Sequence, residues 1–251
     1  MSDKQEEKKE ASGVFIDVNA LFGDANVDEA TLLEMAKAGV LYGHKKNRRN
    51  PKFNEYIFTT RNGVEVIDLA RTVKSIDFVA TVLKKALETK RNILIVGTQP
   101  ASKDAVMALS EALGKCPFVV NKWIGGLITN FGNISKRIEY FKKQRLGLAE
   151  NKFEGYTKKE RLMIAKEVTK MQDKFFGFEN LLTVPDVVFV IDGSIKEHKT
   201  AIHEAKIKKA KVIGIIDSDD DPEEFDYFVP ANDHARSSIN WVINRIISNL
   251  K

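Results

Sequence analysis

The chain has 251 residues, with 40 lysines and arginines against 35 acids for a formal charge of +5, and 43% of it is hydrophobic. That is enough apolar material for one large domain, or one domain carrying an excursion. A single cysteine, Cys116, excludes an internal disulfide and any zinc-ribbon spacing, and no apolar stretch approaches the ~20 residues of a membrane helix, so a reduced cytoplasmic setting without membrane contact is expected.

The first segment, MSDKQEEKKEASG, is polar and mixed in charge, unlike a secretory signal or an acid-poor transit peptide. Residues 1–31 read as a flexible N-terminal extension, with Asp28 placed to cap a helix from Glu29. From Gly43 to Phe53 the chain reads GHKKNRRNPKF, five cations (Lys45, Lys46, Arg48, Arg49 and Lys52) with no acid among them. Pro51, with Asn47 and Asn50, argues against a long helix, so the run is a basic loop. Such a loop is either a solvated face or a contact with a polyanion, where each cation that neutralises a phosphate releases counterions.

Next, Tyr56–Thr60 and Val64–Ile67 flank Asn62-Gly63, a type I′ hairpin signal with Arg61 beside the turn. Helices and strands then alternate: helix Thr72–Lys90, strand Ile93–Val96, helix Ser102–Leu113 and strand Phe118–Val120. Further on come strand Val187–Ile191, helix Thr200–Lys209, strand Val212–Ile216, strand Tyr227–Val229 and helix Ala235–Leu250. The runs VVFVI and VIGII are apolar at consecutive positions, as strands covered on both faces require. The pattern predicts an α/β domain in two parts, 32–132 and 183–251, with a mostly parallel sheet and helices on both faces.

The stretch 133–182 breaks that rhythm. Ile134, Ile138 and Phe141, then Ile164, Val168, Met171 and Phe175, form narrow apolar seams among Lys, Arg, Glu and Gln. Thr157 and Glu160 form a candidate capping box, and Gly177 can end the second helix. These features predict a protruding antiparallel coiled-coil helical hairpin with little share in the core.

Candidate sites are few. The loop GTQPASKDA after the Ile93–Val96 strand lacks the second glycine of a phosphate loop, and no GxGxxG occurs, so no nucleotide cofactor is expected. His44 and His234 stand alone in sequence, and the spacing of His198 and His203 does not put them on one helix face. The acidic run Asp217 to Asp221 reads first as a solvated turn opener before Pro222, with a hard cation as the lesser alternative, and Asp192 and Glu197 as its nearest candidates for company. No catalytic constellation is visible. The turn NKWIGGLITN offers bare backbone at Gly125 and Gly126 that a ribose-phosphate chain could approach, with Asn130 as a helix cap and Lys122, Lys136 and Arg137 as cations. Trp123 is either a core aromatic or part of that contact. With acids dominating Asp217 to Asp226, the charge distribution suggests one face for nucleic acid and another for something else.

The ordered set GVLYGH, YIFTTRNGVEVIDLARTV, NKWIGGLITNF, IIDSDDDP and VPANDHARSSI closely resembles the bacterial small-subunit ribosomal S-two family, from about Leu32 to Leu250. WIGGLITN is its most specific element. The resemblance implies a flavodoxin-like sheet with an inserted coiled-coil hairpin and a structural, non-enzymatic role in the small ribosomal subunit. It implies small-subunit ribosomal RNA and neighbouring ribosomal proteins as partners, with docking of the large multi-domain S-one protein. On that reading Lys45, Lys46, Arg48, Arg49, Asn50, Lys52, Arg61, Lys122, Trp123, Gly125, Gly126, Asn130, Lys136 and Arg137 face RNA. Departures occur: Leu41 replaces a family histidine, Lys122 a family arginine, and the acidic loop gains aspartates. The competing readings are a small-molecule enzyme on the same fold and a free RNA-binding regulator.

Overall fold

The computed structural model describes residues 28–150, 153 and 155–250. Of the expected extension, residues 1–27 therefore lie outside the described residues. Asp28 does cap a helix, α1 (Glu29–Ala38), whose Leu32 and Met35 are buried.

The basic stretch is not one loop. It begins as a strand, β1 (Tyr42–Lys45), and continues in two 3₁₀ turns, Lys46–Arg48 and Pro51–Tyr56. β2 (Ile57–Arg61) and β3 (Val64–Ile67) form the expected hairpin, with positive φ at both Asn62 and Gly63 as a type I′ turn demands. These strands form a small antiparallel sheet in the order β1-β3-β2. α2 (Leu69–Glu88) starts before the expected Thr72, because the Asp68 carboxylate accepts from the amides of Ala70 and Arg71.

The main sheet is built from β4 (Ile93–Val96), β5 (Phe118–Val119), β6 (Val187–Ile191), β7 (Lys211–Ile216) and β8 (Tyr227–Pro230). All are parallel, in the order β5-β4-β6-β7-β8. Counting only this sheet's strands, the order is 2-1-3-4-5, the flavodoxin-like winding. Alternate residues point to opposite faces. Ile93, Ile95, Phe189, Ile191, Ile213 and Ile215 join one core with α1, α2, α3 (Lys103–Ala112) and α7 (Arg236–Leu250). Leu94, Val96, Val188, Val190 and Val212 join a second core on the other face. α6 (Lys196–Ile207) covers part of that face; it starts four residues before the expected Thr200.

Another part of the second face is covered by the hairpin, α4 (Phe131–Ala149) and α5 (Lys158–Phe175), with the expected capping box at Thr157 and Glu160. Here one expectation fails. The hairpin root is not marginal to the core: Ile134, Ile138, Phe141, Val168 and Phe175 are buried in the same cluster as Val119 and Val188. The Phe141 and Phe175 rings lie 5.7 Å apart, and Phe178 just beyond packs on Phe175. The periodicity marks these residues as a seam between two helices, but the seam also faces the sheet. Toward the far end Tyr156, Leu162 and Met163 are exposed. Among the described residues no helix is long and apolar enough to cross a membrane.

Candidate nucleic-acid interface and the carboxylate sites

The basic stretch is tied by hydrogen bonds and ion pairs to the acidic loop that follows β7. Ser218 accepts from the Asn50 amide at 2.7 Å through its carbonyl and from the His44 amide at 2.7 Å through its hydroxyl oxygen. Asn50 caps the second 3₁₀ turn by accepting from the Lys52 amide, and Phe53 beneath is fully buried. Lys52 pairs with Asp221 at 2.9 Å and with Glu223, and Arg49 pairs at 3.3 Å with the buried Glu65. The acids that sequence order puts on another face thus pack beside the cations. Lys45, Lys46 and Arg48 remain exposed, without an ion-pair partner among the described residues. Arg61 is exposed at the end of β2, next to the hairpin turn.

The WIGGLITN turn answers to a different demand. The carboxylate of Glu204, on the buried side of α6, accepts from the Gly126 amide at 2.8 Å and from the Trp123 indole and the amides of Ile128 and Thr129, each at 3.1 Å. The Thr129 hydroxyl adds a further bond at 3.1 Å, and the Trp123 amide donates to Glu197. Trp123 is only 5% exposed. Amides that a phosphate would need are thus occupied by a protein carboxylate, and the Trp123 side chain is a core residue. Gly126 has φ +87°, which lets the turn close, while Gly125 is exposed with open space around it. Burial pushes the Glu204 carboxyl up, but the amides of Gly126 and Thr129, the indole and the Ile128 amide pull it down further, to a net position below the usual range. Lys122, Asn130, Lys136 and Arg137 are exposed around this turn. Asn130 makes no side-chain cap on α4; its side chain accepts instead from the Asn133 side chain.

Sequence reasoning missed Glu204. Its one signal is position: it lies three residues after the buried Ala201 and beside Ala205, a charge on the apolar stripe of an amphipathic helix.

In a doubly wound sheet the crevice at the carboxyl ends of β4 and β6 is where ligands collect. Here its polar groups bind one another. His198 donates from Nδ1 to the Asp192 carbonyl at 2.6 Å and accepts at Nε2 from the Thr98 amide at 3.0 Å. The Thr98 amide can donate only to an unprotonated Nε2, and burial lowers the His198 pKa in the same sense. Gln99 donates to the Asp192 carboxylate, which also accepts from Ser194. Gly97 serves packing, since a Cβ there would meet Val106 at 2.7 Å.

Beyond this crevice, the carboxyl ends of β6, β7 and β8 bring Asp192, Asp217, Asp219, Asp220 and Asp233 together. His44 and His234, apart in sequence, meet here with ring centroids 4.8 Å apart. His44 Nδ1 lies 2.8 Å from Asp217, and His234 Nδ1 lies 2.7 Å from Asp233. The acidic run is therefore not a solvated turn: Asp217 and Asp220 are 2% exposed. Asp192 joins it as expected, whereas Glu197 turns to Trp123. Among the described residues, one buried oxygen each of Asp220 and Asp233 meets no N–H or O–H donor, and the two carboxyl groups lie close enough to share a proton. Donor atoms of His44, Asp217 and His234 lie within 4.8 Å of one another, as do those of Asp192, Asp233 and His234. Among the described residues this nitrogen and oxygen donor set is where a divalent cation could be held. The Asp217 hydrogen bond holds His44 above its ordinary pKa. Burial and Asp217 push Asp219 up to about 6, and burial with Asp192 and Asp219 pushes Asp220 up to about 8. Burial, with Asp217 and Asp192 adding to it, also raises Asp233 well above the carboxylate range.

Comparison with known proteins accounts for this architecture. The chain is 39% identical over 219 residues to the small ribosomal subunit protein uS2 of Corynebacterium urealyticum, covering 87% of this chain and 80% of that protein. To the protein of the same name from Petrotoga mobilis it is 34% identical over 216 residues, covering 86% and 74%. The family model described as Ribosomal protein S2 matches residues 35–250, from α1 to the end of α7, and the chain belongs to that family.

Proposed function

We propose that this chain is a structural constituent of the small ribosomal subunit, binding ribosomal RNA and neighbouring ribosomal proteins in support of translation in the cytoplasm. Family membership carries the assignment, and the observation that supports RNA contact is the clamped basic stretch. Lys45, Lys46 and Arg48 stand in solvent on a backbone pinned to Ser218 and Gly63, so presenting them to phosphate costs little further ordering. Arg61, Lys122, Lys136 and Arg137 extend the set of exposed cations. Arg49, Asn50 and Lys52 act chiefly in holding the loop, and Trp123 and Gly126 in holding the turn. The enzyme reading is disfavoured because the crevice groups Thr98, Gln99, Asp192 and His198 bind one another. Docking of the S-one protein on part of this surface belongs to the same proposal. Sucrose-gradient fractionation after a high-salt wash tests the assignment: the full chain should travel with small subunits. Recovery only at the top of the gradient would favour a free regulator or an enzyme.

A further inference from the structure

We infer that the groove between the hairpin root and the Trp123 turn receives an unpaired RNA nucleotide, its phosphates on Lys122, Arg137, Lys170 and Lys174 and its base over Met171. This rests on the ribosomal-RNA reading above and adds the second hairpin helix to it. The groove has a volume of about 420 Å³, within the range of about 300–1,000 Å³ for ligand-sized clefts. Ile124 and Met171, both half-buried, form its floor over the buried Ile134 and Phe175. All four cations of the rim are exposed, and none has an ion-pair partner among the described residues. Glu167 is the only acid in the lining.

The placement follows from helix geometry. Lys170 and Lys174 are four residues apart on α5, and Met171 is three before Lys174, so the three share a face. Charge selects a polyanion. The apolar floor then narrows the choice, because a duplex keeps its bases stacked inside and presents only its backbone and groove edges, leaving that floor unused. An unpaired nucleotide offers both a phosphate and a flat apolar face, and recognition of single-stranded RNA uses that combination. The polarisable sulfur of Met171 suits contact with an aromatic ring.

The test uses the full chain and a ten-nucleotide RNA of mixed sequence, either single-stranded or paired with its complement, read by fluorescence anisotropy. Lys170→Ala/Lys174→Ala should lower affinity for the single strand by about tenfold and leave duplex affinity within about twofold. Met171→Gln should weaken single-strand binding without changing its salt dependence, since no charge is removed. Equal losses on both RNA forms would overturn the inference, reducing the groove to a general cationic face. So would no loss at all, or displacement of the single strand by poly-glutamate of equal charge, which would assign the groove to an acidic protein. All variants are exposed or half-buried, and unchanged melting confirms that they fold. Failure of the groove would leave gradient co-sedimentation of the wild type intact, whereas failure of that co-sedimentation would remove the RNA reading itself.

Discussion

The basic stretch at Lys45–Lys52 and the turn at Asn121–Asn130 both look in sequence like places for a phosphate backbone, and the structure treats them oppositely. In the turn, glycine-rich backbone amides converge as an anion site would require, but the anion is Glu204 of the same chain. In the basic stretch, backbone groups are tied to Ser218 while three cationic side chains are left in solvent. An anion-binding pattern becomes an interface only where its donors are not already satisfied from within. The same distinction separates two buried carboxylate sites. Glu204 is fully supplied with donors and its pKa is lowered; Asp220 and Asp233 each keep a buried oxygen with no donor among the described residues, and their pKa values are raised.

The largest effect should come from Glu204→Ala. It leaves the indole and the amides of Gly126, Ile128 and Thr129 without their acceptor, so stability in urea titration should fall by about 3 kcal/mol or more. Because its folded pKa is lowered, the contribution of Glu204 is present above the unfolded carboxylate pKa and is lost as pH falls through the folded value. The wild-type advantage over Glu204→Ala should therefore shrink in acid. Trp123→Phe removes one of these bonds and the second indole ring, and should cost about 1–2 kcal/mol in the same assay. If it instead left stability untouched while abolishing RNA binding, the contrast between turn and loop would break.

Asp220→Asn should move stability the other way. An amide oxygen can still accept from Gly193 and Asp217, and the amide removes a charge from a crowd of carboxylates. A raised folded pKa means that the stability tied to this group is present below the unfolded carboxylate pKa and is lost as pH rises toward about 8. In chelator, the variant's advantage over the wild type should be smallest below about pH 4 and should grow as pH rises toward about 8. A constant difference across that range would show that repulsion is not the cause. Lys52→Ala should change melting least, because Lys52 and Glu223 are exposed and Asp221 only half-buried, yet it should loosen the loop and raise amide exchange at Asn50.

How much was legible in the sequence follows from the distance along the chain between interacting residues. The Asn62-Gly63 hairpin, the Thr157–Glu160 capping box and the apolar runs of β6 and β7 are local, and each is where periodicity and turn chemistry place it. The Glu204 bonds to the turn span 75 to 81 residues, and the His44–Asp217 pair spans 173. No local pattern encodes such meetings; they arise because parallel winding brings distant strand ends together. The burial of the hairpin root was also hidden, since the Phe141 and Phe175 spacing that marks a helix–helix seam says nothing about the sheet behind it.

If Lys45, Lys46 and Arg48 neutralise ribosomal RNA phosphates, as proposed above, binding must depend on salt through them. Affinity of Lys45→Ala/Lys46→Ala/Arg48→Ala and of the wild type for small-subunit RNA should be measured across a salt series, with melting as a folding control. The variant should keep the wild-type melting temperature, bind more weakly and show a log-affinity slope flattened by about 0.9 for each phosphate of duplex-like RNA that it no longer neutralises. An unchanged slope and unchanged affinity would contradict that role, leaving the loop a solvated face.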